Sequence, residues 1–273
     1  MIKLIAIDID GTLLDSSGEL SLENKKAIAR ARSLGIKIVL ASGRSFQSMQ
    51  KIMEELELFD MDDYVIANNG ALIQESNTGK IIYEKVFKKE EMLDIYQLSK
   101  ELKMPINLIH LDKVYEPAYP KGAPSTYKGA NLPKGMRLDF IDIDMNNLPM
   151  DLKANQIIIS RTKAEIDSII QKIPKEYFKN YTMNRSLDDL FEILPKNSNK
   201  GQALKVIQDK FSYKKEETMA IGDQGNDYSM LKAAGLAVAM GNSSADLKEV
   251  SDYLSHSNDA HGVAHALNKF LRE

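Results

Sequence analysis

The chain has 273 residues, of which 43% are apolar and 27% are charged, and 36 basic against 39 acidic side chains give a net charge of −3. This is an ordinary globular composition, which excludes a disordered chain and offers no basic surface for nucleic acid. The absence of cysteine excludes disulfides, thiolate metal sites and a cysteine nucleophile. No apolar run reaches the roughly 18 residues that a membrane span needs, so we expect a soluble cytoplasmic protein without nucleic-acid or membrane partners. Nothing in the composition indicates the oligomeric state.

The first quarter of the chain alternates predicted strands with predicted helices. Nearly continuous apolar runs are typical of strands buried on both faces, and they occur at residues 3–9, 36–40 and 64–67. We expect a helix after the first strand, with Ser21 as its N-cap and Gly35 at its end. A hairpin is predicted over residues 71–84, because a turn sequence separates two apolar segments.

The middle of the chain has a different pattern. A helix is predicted over residues 90–103, and residues 117–135 form a loop-like stretch rich in Pro and Gly. Further short strands are predicted at residues 106–111, 114–116, 136–143, 156–160, 177–183 and 190–194, with a helix at 163–173. Several strands in succession with few helices between them favour an α+β domain with an antiparallel sheet.

From residue 200 onward the alternation of helices and strands returns. Strands are predicted at residues 218–221 and 236–240, between helices at 200–211, 228–234, 245–250 and 260–271. The simplest architecture is a Rossmann-like α/β core with a parallel sheet, formed by residues 1–85 and 191–273. An α+β domain, residues 86–190, is inserted into it.

Polar clusters follow or flank the apolar segments of the predicted core. They are Asp8-Ile9-Asp10-Gly11-Thr12, Ser42-Gly43-Arg44, Lys200 and Gly222-Asp223-Gln224-Gly225-Asn226-Asp227. Each cluster alone is equally well explained as a capped turn, because Asp, Ser, Gly and Asn are turn and N-cap residues. Ligands of open parallel sheets bind beyond the carboxyl ends of the strands, so together the clusters indicate one binding crevice.

The carboxylates in these clusters indicate a metal site. Residues two apart on an extended chain face the same side, so Asp8 and Asp10 can both point into the crevice. Two carboxylates repel each other unless a cation neutralises them, and Asp223 and Asp227 add two more. Carboxylate and amide oxygens, including that of Asn226, are ligands that suit Mg²⁺.

Two further residues indicate a phosphoryl group as the ligand. Ser42 offers a hydroxyl donor and Lys200 offers a positive charge, and both suit a phosphoryl oxygen. The sequence contains no Gly-rich loop of the P-loop type, which excludes that class of nucleotide-binding protein.

In sequence and in order, the four clusters resemble the four motifs of the haloacid dehalogenase superfamily of phosphatases. The insertion lies between the serine motif and the lysine motif, which resembles the type IIB cap of the Cof-like sugar phosphatases. The resemblance implies a magnesium-dependent phosphatase that acts on a small phosphorylated metabolite, most commonly a sugar phosphate, through an aspartyl phosphate. It also implies that residues 86–190 form a mobile cap that supplies selective contacts.

The resemblance also implies a role for each motif residue. Asp8 would attack phosphorus, while Asp10 would protonate the leaving group, activate water and ligate the metal through its backbone carbonyl. Asp8 and Asp223 would be side-chain ligands of Mg²⁺, with Asn226 and Asp227 supporting the metal directly or through water. Ser42 and Lys200 would bind the phosphoryl group, and Lys200 would also restrain Asp8. Spacing alone leaves open which of Asp8 and Asp10 attacks.

Four other positions are candidates for contacts with the substrate or its phosphate. Gly43 is assigned to the phosphate-binding loop with Ser42. Arg44 either contacts phosphate or pairs with a carboxylate, and Asn199 either contacts substrate or caps the helix that follows it. The segment Asn68-Asn69-Gly70 ends a predicted strand near the crevice, and a simple turn explains it equally well.

Two other functions are compatible with the same motifs. A phosphotransferase or mutase would pass the aspartyl phosphate to an alcohol instead of water. A non-catalytic ligand-binding homologue would be expected to lack a motif residue, whereas Asp8, Asp10, Lys200 and Asp223 are all present.

Overall fold

The computed structural model describes residues 1–129 and 138–271. The end of the Pro/Gly-rich stretch and the first two residues of the strand predicted at 136–143 lie outside the described residues. The strands are β1 (Leu4–Ile7), β2 (Lys37–Ala41), β3 (Tyr64–Ala67), β4 (Leu72–Glu75), β5 (Ile81–Glu84), β6 (Asn107–His110), β7 (Lys113–Pro117), β8 (Asp139–Ile143), β9 (Gln156–Ser160), β10 (Thr182–Leu187), β11 (Leu190–Leu194), β12 (Thr218–Gly222), β13 (Leu236–Ala239) and β14 (Tyr253–Leu254). The helices are α1 (Leu22–Ser33), α2 (Phe46–Glu55), α3 (Lys89–Glu101), α4 (Lys163–Lys172), α5 (Lys175–Asn180), α6 (Lys200–Phe211), α7 (Tyr228–Ala233), α8 (Ala245–Val250) and α9 (Gly262–Phe270).

The chain forms two compact units. The first contains residues 1–83 and the chain from Asn199 onward, and the second is Glu84–Ser198. The predicted boundary between residues 190 and 191 differs from the structure, because β11 pairs along its length with β9 and β10 of the second unit. The second unit therefore continues beyond β11 to Ser198.

The first unit is built on an eight-stranded sheet in the order β14-β13-β12-β1-β2-β3-β4-β5. The strands from β14 to β3 pair in parallel, and β4 pairs with β3 in the antiparallel direction. Ile7 lies opposite both Leu40 and Ile221, so β1, β2 and β12 run in register. Their carboxyl ends consequently lie at the same edge of the sheet, and the polar clusters begin there.

Hydrophobic burial explains the position of the parallel strands. All four residues of β1 have no exposed surface, as the continuous apolar run predicts for a central strand. Ala203, Leu204 and Ile207 of α6 pack in the same core cluster as Leu4 and Ala6. The predicted α/β class with a parallel core sheet and a separate α+β unit is confirmed.

The second unit contains a six-stranded sheet in the order β10-β11-β9-β6-β7-β8. Its pairs are antiparallel except that β7 and β8 are parallel, which the sequence did not predict. Side chains from α3 and α4, among them Met92, Ile95 and Ile166, pack in one core cluster with Ile157 and Phe191 of the sheet. Ile158 packs instead in a second cluster with Ile109, Val114 and Tyr127, so successive residues of β9 are buried on opposite faces of the sheet.

One prediction in the second unit is wrong. Residues 177–183 were predicted as a strand, but residues up to Asn180 belong to α5 and the strand begins at Thr182. Pro174 precedes this helix with φ −58°, which suits the start of a helix. Tyr177 and Tyr181 lie one helical turn apart with ring centroids 5.9 Å from each other, so the aromatic residues stabilise a helical turn.

Among the described residues, no helix combines the length and the apolarity that crossing a membrane requires.

Candidate active site

The site is assembled from strand ends and one helix start in the first unit. Asp8 follows β1, Ser42 follows β2 and Asp223 follows β12, while Lys200 is the first residue of α6. The charged side chains of Asp8, Lys200 and Asp227 meet, although Asp8 and Lys200 are 192 positions apart in the chain. Of the predicted site residues, these and Asp223 form the buried centre.

Lys200 is fully buried between two carboxylates. Its Nζ lies 2.5 Å from Oδ1 of Asp8 and 2.6 Å from Oδ1 of Asp227. Burial alone would favour the neutral amine, but Asp227 and Asp8 outweigh that effect and raise the pKa of Lys200 above its ordinary value. The lysine is therefore a fixed positive charge beside the predicted nucleophile.

Asp227 acts as an anchor for both Lys200 and the loop after β12. Its Oδ2 accepts hydrogen bonds from the backbone N–H groups of Asp223 at 3.0 Å and Gln224 at 3.1 Å. Gly222 leaves room for this arrangement, since a Cβ there would lie 2.6 Å from Cβ of Asp227. The sequence predicts that Asp227 supports the metal site. In the structure its hydrogen bonds orient the loop that carries Asp223.

Three buried carboxylates fit a divalent cation. One oxygen from each of Asp8, Asp223 and Asp227 lies within 4.8 Å of the others. Burial, followed by the charge of Asp227, raises the pKa of Asp8 well above its ordinary range, and the same causes raise the pKa of Asp223 to about 6. With Lys200 as their buried counterion, these acids carry excess negative charge that Mg²⁺ would neutralise. The residues present therefore fit the metal.

Two residues that the sequence left without a role orient Asp223. The Thr12 hydroxyl donates to Oδ1 of Asp223 at 2.9 Å, and Asn242 Nδ2 lies 3.4 Å from Oδ2. Asn242 also donates to the backbone oxygen of Gly11 at 2.8 Å, so it connects the first and fourth motifs. The signal that could have identified Asn242 is its place just beyond the carboxyl end of β13, another parallel strand of the same sheet.

Gly11 is required by close packing inside the site. Its φ of +78° lies in the left-handed region, and a Cβ at this position would collide with the carboxylate of Asp223. The glycine of the first motif therefore allows the loop after β1 to approach the carboxylate of Asp223.

Arg44 binds Asp10 rather than lying free for phosphate. Its Nε and Nη2 donate to the two carboxylate oxygens of Asp10 at 2.9 and 2.6 Å, which is the bidentate geometry of a strong ion pair. The Asp10 side chain is 55% exposed, whereas that of Arg44 is 9% exposed. The carboxylate of Asp10 thus lies apart from the three buried ones, held by the loop that follows β2.

Asn226 contacts a neighbouring loop instead of the carboxylate cluster. Its Nδ2 donates to Oδ1 of Asn69 at 3.0 Å. The Ser42 hydroxyl accepts a hydrogen bond from the Arg44 backbone N–H at 3.2 Å, and Gly43 lies against the amide of Asn69. Asn226 is therefore linked through Asn69 to the loop that contains Ser42 and Gly43.

Asn199 caps α6. Its side-chain oxygen accepts a hydrogen bond from the backbone N–H of Gln202 at 2.9 Å, which is the N-cap geometry. This cap fixes the start of the helix, where Lys200 enters the site. Of the two interpretations of Asn199, the structure shows the capping one.

Comparison with known proteins identifies the family to which the chain belongs. The family model of the haloacid dehalogenase-like hydrolases matches residues 5–267. The chain belongs to this family.

Relatives of this hydrolase match it over their full length. YxeH of Bacillus subtilis is 35% identical over 271 residues, which cover 99% of each chain. The phosphatase YwpJ of the same organism is 31% identical, with 98% of this chain and 100% of that one covered. YcsE, also of B. subtilis and named a 5-amino-6-(5-phospho-D-ribitylamino)uracil phosphatase, is 28% identical over 99% of this chain and 96% of its own. The predicted class, a phosphatase of the haloacid dehalogenase superfamily, is confirmed.

Solved structures show the same fold as this hydrolase. A haloacid dehalogenase-like hydrolase from Bacteroides thetaiotaomicron superposes with a TM-score of 0.82 at 28% identity, covering 98% of this chain and 99% of that one. The subclass IIB sugar phosphatase BT4131 superposes with a TM-score of 0.80 over 98% of both chains. Since BT4131 is 23% identical, its likeness concerns the fold alone.

The raised pKa of Asp223 predicts a pH-dependent stability for the metal-free hydrolase. Because the folded-state pKa of about 6 exceeds the ordinary 3.8, protonation of Asp223 stabilises the folded state, and this contribution is lost as the pH rises through about 6. On lowering the pH from about 7 to about 5, we expect wild type to gain stability relative to Asp223→Asn. Thermal unfolding in chelator checks this, and parallel pH profiles of the two proteins would contradict it.

Proposed function

We propose that this protein is a magnesium-dependent phosphatase that moves a phosphoryl group from a small phosphorylated metabolite to Asp8 and then to water. The observation that carries the proposal is the fully buried Lys200, paired at 2.5 Å with Asp8 beside two further buried carboxylates. Such a concentration of buried charge is costly to fold and indicates a catalytic site.

The proposed metal-binding residues are four aspartates and one asparagine. The carboxylates of Asp8 and Asp223 and the backbone carbonyl of Asp10 would hold Mg²⁺, with Asn226 and Asp227 supporting them. When bound, the ion would offset the negative charge of the substrate and polarise a phosphoryl oxygen.

In the first half-reaction Asp8 is the proposed nucleophile. Lys200 holds Oδ1 of Asp8, and among the hydrogen bonds of the described residues none ends on Oδ2, so Oδ2 is the oxygen available for attack. The new bond joins Oδ2 to phosphorus, and the ester P–O bond breaks as Asp10, which enters this step in its protonated form, gives that proton to the departing alkoxide. Lys200 and the Ser42 hydroxyl are proposed to bind the phosphoryl oxygens.

In the second half-reaction Asp10 acts as a base. It takes a proton from a water molecule, whose oxygen attacks phosphorus and breaks its bond to Asp8. This restores the Asp8 carboxylate and releases inorganic phosphate. The bidentate contact from Arg44 orients the Asp10 carboxylate for this role, at 2.6 Å through Nη2.

Sugar and polyol phosphates are the proposed substrates. The name of YcsE specifies a phosphate ester on a ribityl chain, which is a polyol phosphate. The leaving group of the proposed substrate is therefore a small alcohol that carries several hydroxyl groups. A cytoplasmic location remains a prediction that agrees with such soluble metabolites.

A phosphatase assay with controlled metal tests the proposal. We expect hydrolysis of p-nitrophenyl phosphate in Mg²⁺, loss of activity in excess chelator and recovery when Mg²⁺ is restored. Calcium should support activity poorly, because its larger and looser coordination shell misplaces the nucleophile relative to phosphorus. Undiminished hydrolysis in excess chelator would refute the metal requirement.

A panel of phosphorylated metabolites then tests the substrate class. We expect sugar and polyol phosphates to exceed nucleotides and phosphorylated amino acids in kcat/KM. Repeating the assay with added free sugar measures transfer to an alcohol, and a phosphorylated acceptor in place of phosphate would show a phosphotransferase. Equal kcat/KM across the panel would contradict a preference for hydroxylated leaving groups.

A further inference from the structure

A turn with unusual backbone geometry follows β3 in the first unit. Asn68, Asn69 and Gly70 have φ values of +47°, +50° and +93°, so three consecutive residues occupy the left-handed region. Asn tolerates this region better than most residues, and glycine adopts it without strain. We call residues 68–70 the asparagine turn.

The asparagine turn holds the loop that follows β2. The backbone N–H of Asn69 donates to the backbone carbonyl oxygen of Ser42 at 2.9 Å. The backbone N–H of Asn68 donates to the backbone carbonyl oxygen of Arg44 at 3.0 Å. The side-chain amide of Asn69 lies against Gly43, where a Cβ would be 2.9 Å from Nδ2. Gly43 is thus needed to admit the Asn69 side chain, which explains this glycine without any contact to phosphate.

The same asparagine also reaches the loop after β12. Oδ1 of Asn69 accepts the hydrogen bond from Asn226 Nδ2 at 3.0 Å. Asn226 directly precedes Asp227, whose carboxylate binds Lys200 at 2.6 Å. One side chain, that of Asn69, therefore contacts the loop of Ser42 and the loop of Asp223 and Asp227 at once.

A third contact joins the turn to the start of α6. A Cβ on Gly70 would overlap the carbonyl of Asn199 and lie 2.8 Å from the backbone nitrogen of Lys200. The backbone of the turn thus packs directly on the helix start that positions Lys200. The asparagine turn therefore contacts the loop of Ser42, the start of α6 at Lys200 and the loop of Asp223 and Asp227, all within the first unit.

We propose that Asn69 is a positioning residue, which sets the spacing between the Ser42 loop and the Asn226–Asp227 segment and thereby shapes the phosphate site. The inference rests on the proposed function of Ser42 and Lys200 as phosphoryl ligands. Asn69 acts through its side-chain bond to Asn226 and its packing on Gly43, while its backbone supports the turn itself.

The test separates the side chain from the backbone. Asn69→Gly keeps the left-handed conformation and the N–H to Ser42 but removes the bond to Asn226, and Asn226→Ala removes the same bond from its other end. Asp62→Gly is the matched control, because Asp62 is exposed, has φ +75° and precedes β3 at the opposite end of that strand. The readouts are the dissociation constant of inorganic phosphate by calorimetry, KM and kcat for p-nitrophenyl phosphate, and the unfolding midpoint.

We expect Asn69→Gly to weaken phosphate binding and raise KM by about tenfold, the scale of one lost hydrogen bond, with kcat reduced by less than about threefold. Asn226→Ala should weaken phosphate binding at least as much and should lower kcat further, because Asn226 is also one of the proposed metal-binding residues. The double variant should lose no more phosphate affinity than Asn226→Ala alone, because both changes remove the same interaction. The control should bind phosphate as wild type does, although it shares the entropic cost of the added glycine.

Other outcomes would overturn the inference. Unchanged phosphate affinity in Asn69→Gly, or losses that multiply in the double variant, would show that the Asn69–Asn226 bond does not set the site. A fall in the unfolding midpoint without a change in phosphate affinity would assign Asn69 a purely structural role. A wild-type protein that binds phosphate but hydrolyses no ester would refute the proposed function and leave the comparison of phosphate affinities intact.

Discussion

Replacing Asp8 by Asn is expected to lower kcat by about a thousandfold or more, the scale on which enzymes lose activity when their nucleophile is removed. The amide has the shape of the carboxylate but cannot attack phosphorus. The fold should remain stable, because the amide oxygen can still accept the hydrogen bond from Lys200 and Asp227 remains as the counterion of that lysine. The measurement is steady-state hydrolysis of p-nitrophenyl phosphate together with thermal unfolding.

Two comparisons make the Asp8→Asn result specific. Asp209→Asn changes an exposed acid on α6 in the same way and should leave kcat unchanged. Acid quenching during turnover should trap a phosphorylated peptide that contains Asp8 in wild type and none in Asp8→Asn. A variant that retains near-normal turnover would refute the covalent mechanism.

Replacing Lys200 by Met is expected to damage both stability and activity. The substitution keeps an unbranched chain but leaves Asp8 and Asp227 buried without their counterion. Removing one partner of a buried ion pair costs about 3–5 kcal/mol, so the free energy of unfolding should fall by that order. We also expect kcat to fall by about a hundredfold or more, because Lys200 both restrains the nucleophile and offsets charge on the phosphoryl group.

The matched control for this variant is Lys205→Met. Lys205 lies on the exposed face of the same helix, so its replacement should change the free energy of unfolding by less than about 0.5 kcal/mol. Adding Asp227→Asn to Lys200→Met should recover part of the lost stability, since the double variant buries one charge fewer. If Lys200→Met unfolds at the wild-type denaturant midpoint, the buried lysine does not compensate these carboxylates.

The core fold was largely predictable because its strands are marked by local pattern. The run from Leu4 to Ile7 is apolar at every position, and Asp8 ends it abruptly, so both the strand and its functional end can be located from sequence. Burial on both faces leaves a central strand little freedom in composition. The aromatic segment around Tyr177 was misassigned because short apolar runs do not distinguish a strand from a helix.

The contacts within the site were less predictable because they join distant loops. Motif order identified Arg44 as a candidate, but its bidentate contact with Asp10 depends on how the loops after β1 and β2 approach each other. The bond from Asn226 to Asn69 spans 157 positions and involves two residues that are each typical of turns. Sequence pattern therefore identifies most residues of the candidate site, and tertiary packing decides which of them are in contact.

The strand order of the core sheet has a consequence for synthesis of the chain. β1 lies between β2 and β12, and β12 spans Thr218–Gly222, so β1 remains without one of its two neighbours until the residues up to Gly222 have been synthesised. During that interval β1 presents an unpaired apolar edge, which is prone to pair with other chains. The second unit, Glu84–Ser198, is continuous and can fold as soon as it leaves the ribosome. Synthesis of the second unit is thus complete before the last strands of the first unit have been made.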